Sequence, residues 1–336
     1  MKELFSLPLY ADVLEEYGGS AGIEAEVRAL GVDGIEAIWG GDDAVMQVSP
    51  DIVIGYHLIF YPDWLDFWRG DTASLLQKFG SREAFESFYQ GADASALIRQ
   101  YKEDLDRAKA LGASYVVYHV SDVSIGEGYT YHFLHSHEEV IDEAAALLNE
   151  VTRGEEYPFR ILLENQWWPG FTFTDPHLTD RLLNAVDTAG KGLLLDTGHL
   201  MNANTALRTV PDGIAFLMDM IKAHGSLCKE IAGMHFHYSL SGEYVLSHTG
   251  AGGREVEIPD TDADYLTRFG RNYAHILRID QHLPFETTEA ERIFEVLSPS
   301  FLTHELHAGN AQERREAVRR QQQSIPALRA RMHGQG

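Results

Sequence analysis

Arg160-Ile161-Leu162-Leu163-Glu164-Asn165 is the stretch on which the fold turns. Its unbroken apolar run suits a strand buried on both faces, as in a parallel sheet. The run closes on a carboxylate. An unpaired buried carboxylate is costly or becomes protonated, and a bound cation removes that cost. The same pattern recurs on both sides, with a His, Asp or Glu closing a hydrophobic strand.

Working outward, the candidate strands are Leu4–Leu9, Gly34–Trp39, Ile52–His57, Ser114–His119, Arg160–Asn165, Gly192–Asp196, Ile231–His237 and Phe301–Leu306. Apolar periodicity predicts helices over Ser20–Leu30, Ser95–Leu111, Glu138–Val151, Thr179–Val186, Asp212–His224, Glu289–Leu297 and Ala311–Arg331. Alternating β and α elements imply a parallel sheet, and eight strands imply a closed (β/α)8 TIM barrel of the α/β class. Its site lies at the C-terminal ends of the strands. A barrel core needs about 250 residues, so the surplus falls in extended loops after strands 3 and 7, at 58–94 and 238–283. With no repeat or linker, residues 1–336 read as a single domain. Its core runs from about residue 4 to 306, with a C-terminal helix at 311–331. The Arg-rich stretch from Arg314 to Arg331 reads as the solvated face of that helix.

The net charge is −24, from 27 basic and 51 acidic residues. A surface of that sign repels nucleic acid and anionic membranes at long range, so neither is expected as a partner. Cys228 is the one cysteine, which excludes an intrachain disulfide and points to a reducing, cytoplasmic compartment. Met1-Lys2-Glu3-Leu4 lacks a signal peptide's apolar region, because Asp12 and Glu15 interrupt it. No apolar run is long enough for a transmembrane helix. The oligomeric state is not legible.

His57, His119, Glu164, Asp196, His235 and Glu305 close six successive strands, and in a barrel those ends converge on one mouth. Imidazole and carboxylate together suit Zn, Mn, Fe or Co. Asp196-Thr197-Gly198-His199 adds a donor one short turn beyond the sixth strand, and Asp280-Gln281-His282 sets two donors two residues apart. Period 2 puts His235 and His237 on the same face.

These residues resemble the xylose isomerase-like barrels, and more narrowly the endonuclease IV family, over roughly residues 30–306. Leu163-Glu164-Asn165, Leu195-Asp196-Thr197-Gly198-His199 and Gly233-Met234-His235 are like that family's fifth-, sixth- and seventh-strand motifs, and Asp280-Gln281-His282 has its Asp-x-His spacing. The resemblance implies two or three divalent ions per chain. His57, His119 and Glu164 would hold the first. Glu164 would bridge to a second with Asp196, His235 and Glu305. His199, Asp280 and His282 would hold the third, on a loop expected to make it the most mobile. His235 is then the seventh-strand ligand and His237 a group on the substrate or behind the ligands.

Three reactions are open to such a site. The leading one is metal-assisted hydrolysis of a non-DNA substrate, because so many donors exceed what one ion needs. An alternative is sugar isomerisation or epimerisation, in which Glu164 and Glu305 move a proton, as the isomerase relatives imply. A further alternative is oxidation of a peptide by multinuclear iron, as in related barrels. Glu164, Glu305 and His237 are the candidate catalytic residues. Phe60, Tyr61, Trp64, Phe67 and Trp68, with Trp167-Trp168, are either core packing around an excursion or an aromatic lid. The lid would suit a small sugar-like molecule or a peptide.

Overall fold

The computed structural model describes residues 1–41, 43–332 and 334. Eight strands close into a barrel in chain order. They are β1 (Lys2–Leu9), β2 (Gly34–Trp39), β3 (Val53–His57), β4 (Tyr115–His119), β5 (Arg160–Glu164), β6 (Gly192–Asp196), β7 (Ile231–His235) and β8 (Phe301–His304). All neighbours are parallel, and β8 closes the ring on β1 with Lys2 opposite Phe301 and Phe5 opposite His304. Every candidate strand is present. β5, β7 and β8 stop one or two residues earlier than expected, so Asn165, His237 and Glu305 stand just past the ladder, freed from pairing at the barrel mouth.

Leu4, Tyr115, Val117, Leu162 and Leu194 form a cluster separate from the main core, with Phe301 packed on it. It fills the barrel interior, as the layered packing of a (β/α)8 barrel requires. Gly55 on β3 admits the Tyr115 ring, since a Cβ there would lie 2.4 Å from the Tyr115 hydroxyl oxygen. The opposite strand faces pack against the helical layer in one large core.

The expected helix Ala311–Arg331 is two, Ala311–Gln322 and Pro326–Met332. Pro326 lacks an N–H and disfavours helical geometry in the residue before it. Its arginines are not simply solvated: Arg315 pairs with buried Glu26, Arg329 Nε donates to Glu3 Oε2 at 2.9 Å, and buried Arg314 bonds Tyr17. They clamp the tail onto β1 and the helix Ser20–Leu30. The expected helix Glu289–Leu297 is a 3-10 turn, Thr288–Arg292, followed by the short helix Ile293–Val296.

Both excursions fold. The first makes helices Leu65–Arg69, Thr72–Phe79 and Arg82–Phe88; the second makes Gly242–His248 and Tyr265–Ile279. They interlock over the barrel mouth, with Phe79 stacked on Tyr265 at 3.8 Å and Phe88 edge-on to Phe269 at 5.4 Å. Among the described residues no helix is long and apolar enough to cross a membrane.

Candidate metal centre

Strand register brings the strand-end donors to one level, His119 opposite Glu164 and Asp196 opposite His235. Glu164 is the hub. Its Oε2 lies 2.6 Å from His119 Nε2 and 3.5 Å from His57 Nε2; its Oε1 lies 3.1 Å from His235 Nδ1 and 3.4 Å from His199 Nδ1. His235 Nδ1 is also 2.8 Å from Glu305 Oε2 and 3.5 Å from Asp196 Oδ2. Asp196 caps the helix Thr197–Asn202 by accepting from His199 N at 2.6 Å. That tight turn carries the His199 ring back over Glu164, with Nε2 3.2 Å from Asp280 Oδ2. His282 Nε2 reaches the same oxygen at 2.6 Å.

Among the described residues four donor sets result, each with its ligand atoms within 4.8 Å of one another. His57, His119 and Glu164 make one, and Glu164, Asp196, His235 and Glu305 another. His199, Asp280 and His282 make a third. These three coincide with the groupings that the sequence resemblance implies. The fourth, His237, His282 and Glu305, was not expected. His237 Nε2 lies 2.8 Å from Asp196 Oδ2, and its ring stacks on His282 at 4.1 Å. Gly198 leaves room for that ring, since a Cβ there would lie 2.1 Å from His237 Cε1.

The donors fit a cation. Glu164 Oε2, His119 Nε2 and Glu305 Oε2 are buried without a hydrogen-bond partner. The first two stand 2.6 Å apart without hydrogen-bond alignment, as lone pairs aimed at a common point would. His57, His199 and His282 each set Nδ1 3.0 Å from a backbone carbonyl, of Leu58, Asn165 and Glu305 respectively. Donation from Nδ1–H leaves the Nε2 lone pair facing the cluster, the usual arrangement of a metal-bound imidazole. His235 is turned the other way: Nε2 meets Glu36 Oε1 at 2.9 Å and Nδ1 faces the cluster.

Glu36, fully buried on β2, was missed in the sequence. It also accepts from the hydroxyls of Tyr115 and Thr303. The signal was there, an acid in the middle of an otherwise apolar strand, but attention to strand ends passes over it.

Charge balance follows the geometry. Burial pushes the Glu164 carboxyl up, but the His119 and His235 charges overcome this and hold it well below the usual range. Asp196 is held down in the same way by His199 and His237. His57 is lowered by burial yet raised on balance to about 9 by Glu164, and His282 to about 9 by Asp280. His119 goes the other way, lowered chiefly by burial. Without a cation the carboxylates favour protonated His57 and His282, though not His119; a divalent ion would displace those protons.

Asp280 and His282 lie on a short loop between a helix and a β-bridge. Asp280 ends the helix Tyr265–Ile279, and the next residues bridge back: Leu283 and Tyr238 exchange backbone bonds of 2.8 and 3.0 Å. His307 N donates to His282 O at 3.1 Å. His282 itself has φ +48°, a strained backbone for a residue with a Cβ. Backbone bonds on both sides thus tie down the segment that carries Asp280 and His282.

A cavity of about 530 Å³ lies over the cluster, with His57, His119, His199, Asp280, His282 and Glu305 on one side. Phe60, Trp167 and Trp168 line it. The other aromatics of the first excursion do not: Tyr61, Trp64 and Phe67 are core, and Trp68 Nε1 donates to Glu143 at 2.8 Å. Trp167 and Trp168 line the cavity while packed in a buried cluster with Val123, Val245 and Ile279, so core packing describes them too, and of these aromatics Phe60 alone lines the cavity without being buried.

The family model of xylose isomerase-like TIM barrels matches residues 25–287. Among solved structures the chain is similar to endonuclease IV from Thermus thermophilus, at 16% identity and TM-score 0.53, covering 97% of this chain and 100% of that one. It is similar to a D-tagatose 3-epimerase-like protein at 13% identity and TM-score 0.50, covering 99% and 100%. It is also similar to IOLI protein with a binding zinc atom, at 14% identity and TM-score 0.51, covering 98% and 99%. At these identities the likeness speaks for the fold. No curated protein matches the chain.

Proposed function

The chain belongs to the xylose isomerase-like TIM barrel family, and on that footing we propose that it is a metal-dependent hydrolase acting on a non-DNA small molecule. The observation that carries this reading is the set His199, Asp280 and His282, adjoining two other sets that share Glu164. Isomerisation needs one ion and two carboxylates; three adjoining donor sets exceed that need. Divalent ions held there would supply a Lewis acid and a water nucleophile at neutral pH.

The chain's own residues divide the remaining work. Glu164 ties two donor sets together and fixes their spacing. Glu305 belongs to the cluster and also lines the cavity, which supports assigning it the proton exchange with substrate. His237 is not among the cavity-lining residues; it holds Asp196 in place and is a positioning residue. Asn165 brackets Asp196, accepting from its N at 2.8 Å and donating to its O at 3.0 Å.

One observation favours a second reading. Glu164 and Glu305 share a donor set with Asp196 and His235, the pairing that isomerisation or epimerisation would use. Metal content of protein purified without air separates the readings. Two or three zinc ions per chain support hydrolysis, one manganese or cobalt ion supports isomerisation, and iron supports the peptide-oxidase alternative. Glu164→Gln should lower the metal count and abolish turnover, because losing the shared charge leaves neighbouring cations repelling one another. Full metal and full turnover in that variant would remove Glu164 as the hub.

A further inference from the structure

The wall facing the donor cluster is apolar. Ile59, Phe60, Val123 and Ile125 line one flank, Phe269 and Ile276 the other. Trp167 and Trp168 complete the surface next to His199, the Trp167 ring 5.1 Å from that imidazole. Few polar groups remain for a ligand. Ser124 is already bonded to Glu127, and Gln166, beside His199, adds one amide. That leaves Asn272, Tyr265 and Tyr273 on one helix and the indole N–H groups of Trp167 and Trp168, buried without a hydrogen-bond partner; no lysine or arginine lines the cavity among the described residues.

A free sugar would bring a hydroxyl on nearly every carbon into this space. Each buried hydroxyl without a partner is costly, and the wall has too few partners to meet them. An anionic group away from the cluster would find no counter-charge, inside a chain whose net charge is −24. The interlocked rings of the two excursions hold the space open in advance of binding, and its volume is ordinary for a small-molecule site.

We propose that the site takes a neutral small molecule with an oxygen-chelating head on an apolar, ring-bearing body, the head on the donor cluster and the body between the two excursions. The head rests on the metal reading given above; the body does not. Rings between these walls leave water, so a fused aromatic body should tighten binding by ~100-fold or more at ~25 cal/mol per Å² buried.

The test separates the two halves. Metal-loaded protein is titrated with acetohydroxamic acid and with 2-naphthohydroxamic acid, two chelators that differ in the apolar body. Metal-free protein is titrated with N-phenyl-1-naphthylamine, a neutral fluorophore with no chelating head. The expected result is a ~100-fold preference for the naphthyl chelator and saturable fluorophore binding without metal. Ile59→Ser with Ile276→Ser should cut naphthyl affinity by ~10-fold or more and leave acetohydroxamate unchanged. Equal affinity for the two chelators, with no fluorophore binding, overturns the inference and leaves the metal reading standing. Tighter binding of a simple ketose than of the naphthyl chelator overturns it as well. Fluorophore binding with no uptake of zinc, manganese or iron overturns the chelating head and the metal reading together, while the apolar body stands.

Discussion

Glu36 sets the orientation of His235, whose Nε2 hydrogen-bonds its Oε2 at 3.1 Å while Nδ1 faces Glu164 and Glu305. Carboxylates behind a metal-bound imidazole fix its tautomer and raise its basicity. Glu36→Gln keeps the shape and removes the charge. The expected outcome is metal affinity weaker by ~10–100-fold with the fold intact, measured by competition with a chelating dye beside circular dichroism. Unchanged affinity would make Glu36 a plain buried acid satisfied by Tyr115 and Thr303. The strand-end ionisable groups were legible because a charged residue closing an apolar strand is conspicuous in a string of letters. Glu36 was not, since its partner His235 lies 199 positions away.

At the scale of elements, the second excursion delivers Asp280 and His282 to His199. The helix Tyr265–Ile279 ends at Asp280, and the bridge between Tyr238 and Leu283 fixes the turn that follows. The double change Asp280→Asn, His282→Ala touches no barrel strand. It should remove one ion and leave the donors on strand ends occupied, with hydrolysis falling sharply and isomerisation surviving. Metal content beside turnover decides it; an unchanged count would make this segment a structural turn and defeat the three-set reading. Anchored as it is, the set should exchange metal no faster than a donor set on strand ends.

For the whole molecule, the buried charge balance makes stability depend on pH and on metal. His57 and His282 have pKa values raised to about 9, so the folded chain holds protons that the unfolded chain has released. Their contribution is fully present below about pH 6.5, the ordinary imidazole value, and is lost as pH rises through about 9. On the acid side Glu305, lowered to about 2, contributes stability that is lost as pH falls toward that value. His119 works against the imidazole gain below its ordinary value, because its pKa is lowered. Metal-free protein should therefore lose thermal stability between about pH 7 and pH 9.5. Metal-loaded protein should not, since bound imidazoles carry no ligating proton to lose. Melting curves with and without a chelator across that range test it; parallel curves would count against the clustered imidazoliums. The net charge of −24 acts at longer range. Duplex DNA with an abasic site should bind weakly at physiological salt, because no local cluster offsets a surface of that sign. Submicromolar binding with a steep salt slope would defeat this expectation.

The sequence by itself determined the barrel. Short apolar runs alternating with amphipathic stretches are local patterns, and eight of them in order admit few other closed arrangements. It also marked the donors, because an ionisable residue closing a buried strand stands out wherever its partners lie. Tertiary structure alone decided what stands around them. The excursions at 58–94 and 238–283 became interlocked helices because their aromatic faces bury one another across the chain, as Phe79 does with Tyr265 and Phe88 with Phe269. The break at Pro326 is a local signal in the chain, whereas the pairing of Arg329 with Glu3 joins residues far apart along it. Periodicity is written in neighbouring residues; an ion pair, a ring stack or the wall of a cavity depends on which distant segments meet, and only the folded chain specifies that.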